Sequence, residues 1–224
     1  MREPDAPPEP TKAASAIEHD LVNSLAAIIG FSQVIRRDPA LPEDLRQNAD
    51  LLLQEATRTR RLVRELLDLA RARPSEAHST PEPDQGSRPP AKGTPPRILV
   101  LDDEPSMRIF IEKALDLLGY EAEVSAQGID AVRRATDGDH AALLFDHQMA
   151  GMSGVEACEA ILAVRPELAG RFVLMSGDML QPDVESLAAR HPVTLLAKPF
   201  DLDSLDRAIR AAMGATDATR QSRG

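Results

Sequence analysis

Between Ile98 and Ala212 the chain alternates, five times over, a short aliphatic run with a stretch of helical periodicity. The runs are Ile98 to Leu101, Glu121 to Val124, Ala142 to Phe145, Phe172 to Met175 and Thr194 to Ala197. The helical stretches lie near Ser106 to Leu118, Ile129 to Ala135, Val155 to Arg165, Val184 to Ala189 and Ser204 to Ala212. A helix between two strands carries the chain back to the end of the sheet where it began, so the strands it joins run parallel. The alternation therefore predicts an α/β fold with a five-stranded, doubly wound parallel sheet. Such sheets bind ligands beyond the carboxyl ends of their strands, which is where chemistry should be sought.

Those ends are polar. Asp102 and Asp103 follow the first run in LVLDDEP, Asp146 ends the third in LLFDHQMAGMSG, Ser176 ends the fourth in VLMSGD, and Lys198 ends the fifth in LLAKPF. Parallel, adjacent strands would bring them into one crevice. Three carboxylates in one crevice repel unless a cation lies among them, and an all-oxygen donor set favours Mg²⁺. A carboxylate beside that ion can attack a phosphoryl group to give an acyl phosphate. In this scheme Asp146 is the nucleophile, Asp102 and Asp103 bind the metal with it, Ser176 hydrogen-bonds the phosphoryl group and Lys198 pairs with it. Singly, each has a plainer explanation, since Asp102 and Asp103 could cap a helix, Asp146 could open a turn and Lys198 could be a solvated strand end.

Taken together, DDEP, FDHQMAGMSG, LMSGD and LAKPF, in this order and spacing, resemble the response-regulator receiver family over nearly all of Arg97 to Met213. The resemblance implies a flavodoxin-like strand order and a fourth metal ligand, the backbone carbonyl of Gln148. It also implies that Gln148 and Asp178 influence how fast the acyl phosphate hydrolyses. Leu195 stands where many members of the family carry a switching aromatic, so signalling through a rotating ring is not expected.

The N-terminal part reads differently. Ile17, Leu21, Leu25, Ile28 and Ile35 recur at helical spacing and predict a helix from about Lys12 to Arg37. Asp38, Pro39 and Pro42 interrupt it, and Leu45, Leu52, Ala56, Val63, Leu66 and Leu69 or Ala70 mark a second helix from about Glu43 to Ala72. Two helices alone have little core, so the hairpin is expected to form a homodimeric four-helix bundle. In IEHDLVNSLAAIIGF, His19 stands beside Asp20, with Asn23 one turn further on. An imidazole can take a phosphoryl group if a carboxylate orients its proton, and an amide can position water. The segment from about Ala14 to Arg73, including LLDLARAR, resembles the dimerisation and histidine-phosphotransfer domain of sensor histidine kinases. The resemblance implies that His19 is phosphorylatable, with Asp20 as the adjacent acid and Asn23 at a position associated with phosphatase activity. Ser24 replaces the usual proline.

The expected organisation is a disordered leader over 1–10, a dimerisation and phosphotransfer hairpin over 11–73, a linker over 74–96, a receiver over 97–213 and a disordered tail over 214–224. The linker, rich in Pro, Ser and charge, would span roughly 26 Å as a coil, short enough to hold the two domains at about millimolar effective concentration. The ATP-binding domain that follows such hairpins in kinases is not found in this sequence, nor is GxxxxGK[ST]. A phosphotransferase or phosphatase that depends on a cognate histidine kinase or its ATP-binding domain, or on a partner receiver or phosphotransfer protein, is therefore expected, rather than an autonomous ATP-dependent kinase. A net charge of -10 argues against nucleic-acid binding, and no apolar run approaches a membrane span, which points to the cytoplasm. The single cysteine, Cys158, reads as a core residue. The leading function is phosphorelay between His19 and Asp146. The competing one is a receiver adaptor whose helices only dimerise or dock onto a kinase, with His19 inert.

Overall fold

The computed structural model describes residues 12–71 and 94–221, and the side chains within 20–63 and 94–214. The leader and most of the linker lie outside the described residues, as do the side chains of Ile17, His19, Leu66, Leu69 and Ala70. Strands β1 (Arg97–Leu101), β2 (Glu121–Ser125), β3 (Ala142–Asp146), β4 (Phe172–Ser176) and β5 (Thr194–Ala197) form one parallel sheet in the order β2-β1-β3-β4-β5. β3 and β4 are buried at every position, because helices cover both faces of the sheet.

The two-residue period of the strands sorts their side chains into two cores. Ile98, Val100, Leu144, Val173 and Met175 face α3 (Pro105–Leu118) and α7 (Leu202–Gln221). Leu99, Leu101, Leu143, Phe145 and Leu174 face α4 (Gly128–Asp137), α5 (Gly154–Val164) and α6 (Pro182–Arg190). Cys158 is fully buried in this second core, as its helical setting predicts. Local chemistry sets the helix ends. Pro105 opens α3, and Gly119 ends it with a left-handed φ of 84°. Ser153 and Glu156 close a capping box at the start of α5. α7 continues to Gln221, since past Gly214 the sequence ATDATRQ holds no proline or further glycine to stop it.

The first two helices, α1 (Lys12–Arg37) and α2 (Glu43–Arg71), pack as a hairpin whose turn is held by the Ala40 N–H donating to Asp38 Oδ1 at 2.9 Å. Their apolar stripe departs from the sequence expectation. Leu21 and Ile28 on α1, and Leu45 and Leu52 on α2, are exposed, whereas Leu25, Ala26, Ala27, Ile29 and even Asn23 and Ser32 are buried. The buried set faces α2 and, beyond the hairpin, the receiver-like domain. Ala26 joins the first core, and Phe31 meets Phe110 of α3 edge-on with ring centroids 5.9 Å apart. Gly30 is the point of closest approach, since a Cβ there would lie 2.1 Å from the Phe110 ring. Polar contacts complete the seam: Leu202 N–H donates to Gln33 Oε1 at 2.8 Å, and Arg37 pairs with Asp203 at 2.9 Å.

Gly154 seats α5 directly on the backbone of β3, where an added Cβ would fall 2.2 Å from the carbonyl oxygen of Asp146. Gly154→Ala is expected to destabilise the fold by about 1–3 kcal/mol, because rigid backbone must move to admit the methyl group. Urea denaturation followed by circular dichroism checks this.

Candidate functional site

The side chains that end β1, β3 and β5 leave the same face of the sheet, since Asp102, Asp146 and Lys198 each continue the alternation of a residue in the first core, Val100, Leu144 and Leu196. Strand pairing brings their ends together, with Asp146 opposite Met175 and Ser176 opposite Ala197. One carboxylate oxygen from each of Asp102, Asp103 and Asp146 lies within 4.8 Å of the others. Asp102 and Asp146 are buried, and Asp103 is partly exposed at the rim. The expected carboxylate cluster is thus assembled.

Lys198 lies among them with almost no exposed surface. Its Nζ is 2.9 Å from Asp146 Oδ1 and 3.4 Å from Asp102 Oδ2, and it donates to Asn23 Oδ1 at 3.0 Å. Two of these oxygens accept hydrogen bonds and the third, on Asp146, pairs by charge, so the buried ammonium is compensated. Burial pushes the Asp102 carboxyl up from 3.8 to about 6, with the neighbouring Asp146 adding to the rise and Lys198 opposing it. Burial also raises Asp146, again against the pull of Lys198. Neither oxygen of Asp146 accepts a directed hydrogen bond among the described residues; the contact with Lys198 is an ion pair. An all-oxygen cluster with open lone pairs on its central carboxylate fits a hard divalent cation.

The remaining polar residues hold this arrangement in place. Asp102 Oδ1 accepts from the Glu104 N–H at 2.9 Å, and Asp103 Oδ2 accepts from the Ala150 N–H at 2.8 Å, tying the loop after β1 to the loop after β3. Gln148 lies half-buried in that second loop, two residues past Asp146. Ser176 is buried at the end of β4, where its hydroxyl donates to the Asp178 carbonyl at 2.8 Å. The Asp178 carboxylate is taken up by its own turn, accepting from the Leu180 N–H and from Gln181 Nε2. Of the hairpin residues, Asn23 reaches the cluster through Lys198, while Asp20 is exposed on α1. His19 precedes Asn23 by one helical turn; its side chain lies outside the described residues.

Two features were not anticipated. The bond between Asn23 and Lys198 joins residues 175 apart, and nothing in the local pattern of either announces it. His147, next to the central aspartate, is buried and held by Ser176 and Asp183; its position in FDHQ was the only available signal.

Residues 98–210 match the response regulator receiver domain family, and residues 11–75 match the His Kinase A (phospho-acceptor) domain family. The chain is 28% identical over 118 residues to sporulation initiation phosphotransferase F of Bacillus subtilis (strain 168), a match that spans 51% of this chain and 90% of that protein. It is 30% identical over 122 residues to response regulator MprA of Mycobacterium sp. (strain KMS), spanning 54% of this chain and about half, 52%, of the relative. In structure it is similar to a CheY-like response regulator receiver domain protein from Methanospirillum hungatei JF-1, with a TM-score of 0.50, 20% identity, and coverage of 56% of this chain and 98% of that one. No helix among the described residues is long and apolar enough to cross a membrane. With the parallel sheet and the carboxylate cluster in place, the chain belongs to the response regulator receiver domain family, its receiver fused to a His Kinase A segment as a component of two-component phosphorelay signalling.

Proposed function

We propose that the chain passes phosphoryl groups between His19 and Asp146, with its own receiver as the first partner of its own hairpin. The observation that carries this reading is the hydrogen bond from Lys198 to Asn23, one helical turn from His19, at the edge of the acceptor site. The part of α1 that begins one turn after His19 thus lies against the receiver crevice. In the transfer, a carboxylate oxygen of Asp146 attacks the phosphorus carried by the His19 imidazole; the new P–O bond forms as the P–N bond breaks, and the ring leaves with the bonding pair. Asp20 orients the imidazole, Lys198 pairs with the arriving phosphoryl group and Ser176 hydrogen-bonds it. The reverse step restores phosphohistidine. Asn23 is placed to direct a water molecule at the acyl phosphate, the basis of a phosphatase activity at the same seam.

Asp102, Asp103, Asp146 and the Gln148 carbonyl would hold Mg²⁺. When bound, that ion would offset the negative charge of the phosphoryl oxygens. Homodimerisation is supported by the exposed pairs Leu21 with Ile28 and Leu45 with Leu52, each one heptad apart on its helix and unburied in the single chain. A cognate kinase or its ATP-binding domain, or a partner receiver or phosphotransfer protein, would supply or take phosphate in the cytoplasm. Residues 97–213 act as the receiver in this reading, 11–73 as the phosphotransfer unit and 74–96 as the tether.

Labelling with a small radioactive acyl phosphate and Mg²⁺ tests the relay, because acyl phosphate is lost in base and phosphohistidine in acid. Wild type should acquire both labels, Asp146→Ala neither, and His19→Ala only the base-labile one. Label confined to Asp146, with a decay rate that ignores His19, would overturn the relay and favour a docking adaptor.

Gly30→Leu is expected to wedge α1 away from Phe110. Acid-labile label should fall by about tenfold or more while label on Asp146 persists, since transfer depends on alignment at the seam. Equal acid-labile label in the variant would count against transfer in cis.

Asp102 also gives the fold a pH dependence. The folded carboxyl holds its proton up to about pH 6, against an ordinary 3.8, so the folded state binds more protons between those values. Stability should therefore fall as pH rises through that window. Without divalent cations, Asp102→Asn should stabilise the chain at pH 7 by about 1–3 kcal/mol, and the gain should vanish below about pH 4. Thermal unfolding in a chelator across that range checks both.

A further inference from the structure

Lys198 is contacted from both sides of the seam between the hairpin and the receiver. Its backbone N–H donates to the Ser176 carbonyl at 2.7 Å, which fixes the strand end and leaves only the side chain to adjust. The ammonium group donates to Asp102 Oδ2 at 3.4 Å and to Asn23 Oδ1 at 3.0 Å, and it pairs by charge with Asp146 Oδ1 at 2.9 Å. The hairpin meets the same end of the receiver at two further points. Arg60 of α2 donates to the Pro199 carbonyl at 3.5 Å, and Val22 of α1 lies 3.6 Å from where a Cβ on Gly177 would stand. Asn23 is only 3% exposed, so its amide sits inside this contact and not at its rim.

The oxygens around Lys198 differ in what else can claim them. Asp102 and Asp146 each give an oxygen to the cluster that, with Asp103, fits a divalent cation. Such an ion would add two positive charges beside an ammonium group that faces two of the same three carboxylates. Like charges this close in a buried site repel strongly. Among the described residues, Asn23 Oδ1 is the acceptor of Lys198 that lies outside the cation's ligand set, and it belongs to the hairpin. Loading the cluster therefore loosens the hold of Lys198 on the receiver carboxylates and moves its ammonium toward the hairpin amide. Undocking α1 then costs more, because it would strip a buried ammonium group of the acceptor that the cation does not contest. Conversely, a docked α1 gives that ammonium somewhere to go, which makes room for the cation.

We propose that Asn23 is a positioning residue that couples the carboxylate cluster to hairpin docking: a divalent cation tightens the seam between α1 and the receiver, and a docked α1 tightens cation binding. This rests on the reading of Asp102, Asp103 and Asp146 as a Mg²⁺ site and adds a regulation of that site by the hairpin. The two effects are one coupling free energy seen from two sites, so they must be equal. The hairpin and the acceptor are thereby brought into register once the cluster holds its cation, before any phosphate arrives.

Amide hydrogen exchange followed by mass spectrometry, on the full chain in EDTA or in excess MgCl₂ and without a phosphate donor, tests this. Isothermal titration calorimetry reports Mg²⁺ binding independently. In wild type, Mg²⁺ should slow exchange within residues 22–34 by about fivefold or more, as a docked helix opens less often. Residues 157–164 of α5, packed in the core on the other face of the sheet, should change far less. In Asn23→Ala the slowing in α1 should be lost, and the Mg²⁺ dissociation constant should rise by about fivefold or more. Asn23→Asp, which keeps an oxygen for Lys198, should restore the slowing. Gly30→Leu, which disturbs the seam without touching Lys198, should raise the dissociation constant in the same direction. Slowing in Asn23→Ala equal to that of wild type, or shared equally by α5, would overturn the proposal. Failure of Asn23→Asp to restore it would assign the loss to packing and overturn the role of the amide oxygen. Calorimetric binding of Mg²⁺ with unchanged exchange in 22–34 would overturn the coupling alone, whereas no Mg²⁺ binding would remove the cation reading and the coupling with it.

Discussion

A buried ammonium group ringed by three oxygens holds this molecule together where its two parts meet. Lys198 can be buried because Asp146, Asp102 and Asn23 each offer it an oxygen. Two of those oxygens belong to the receiver and one to the hairpin, so the charge balance of the acceptor site and the docking of α1 are the same interaction. Leaving such a group with no carboxylate beside it would expose an uncompensated charge to a low-dielectric interior, and that cost is far larger than the net gain the intact arrangement provides. The site is therefore a device for specificity more than for stability: it favours one relative placement of helix and sheet because every other leaves a charge unpaired.

Small residues make that placement possible. Ala26, Ala27 and Gly30 give α1 a flat face, and Phe110 uses the gap at Gly30 to approach the helix backbone. The larger apolar residues of the hairpin point elsewhere, with Leu21, Ile28, Leu45 and Leu52 left at the surface. α1 thus has two functional faces: a small-residue face with Asn23 for the receiver, and a larger aliphatic stripe suited to other helices. A helix that must serve two packing surfaces cannot concentrate its bulk on either, which explains why its strongest hydrophobic periodicity did not mark its buried side.

Much of the receiver was legible because its rules are local. Apart from the C-terminal end of α7, the strand runs and helix stretches fell within a residue or two of the observed elements, since proline, glycine and serine caps fix their ends. The clustering of Asp102, Asp103, Asp146 and Lys198 followed from strand ends alone, because parallel adjacent strands deliver their terminal side chains to one edge. Other features escaped. His147 carries no periodic signal, and its partners, Ser176 and Asp183, come from a strand and a helix that meet it only after the sheet is wound. Asp178 turned out to be engaged by its own loop, because a short carboxylate two residues from a backbone N–H finds that local donor first.

By itself, the sequence determined the parallel sheet, the two helices before it and the set of groups at the strand ends, because period, turn chemistry and strand polarity are properties of neighbouring residues. Only the tertiary structure decided that α1 lies against α3, that Asn23 completes the shell of Lys198, and that the ring of His147 faces α6 and not the carboxylates. Those outcomes depend on which surfaces can approach closely and which buried polar atoms must find partners. Such conditions hold between residues far apart in the chain, and no local pattern contains them.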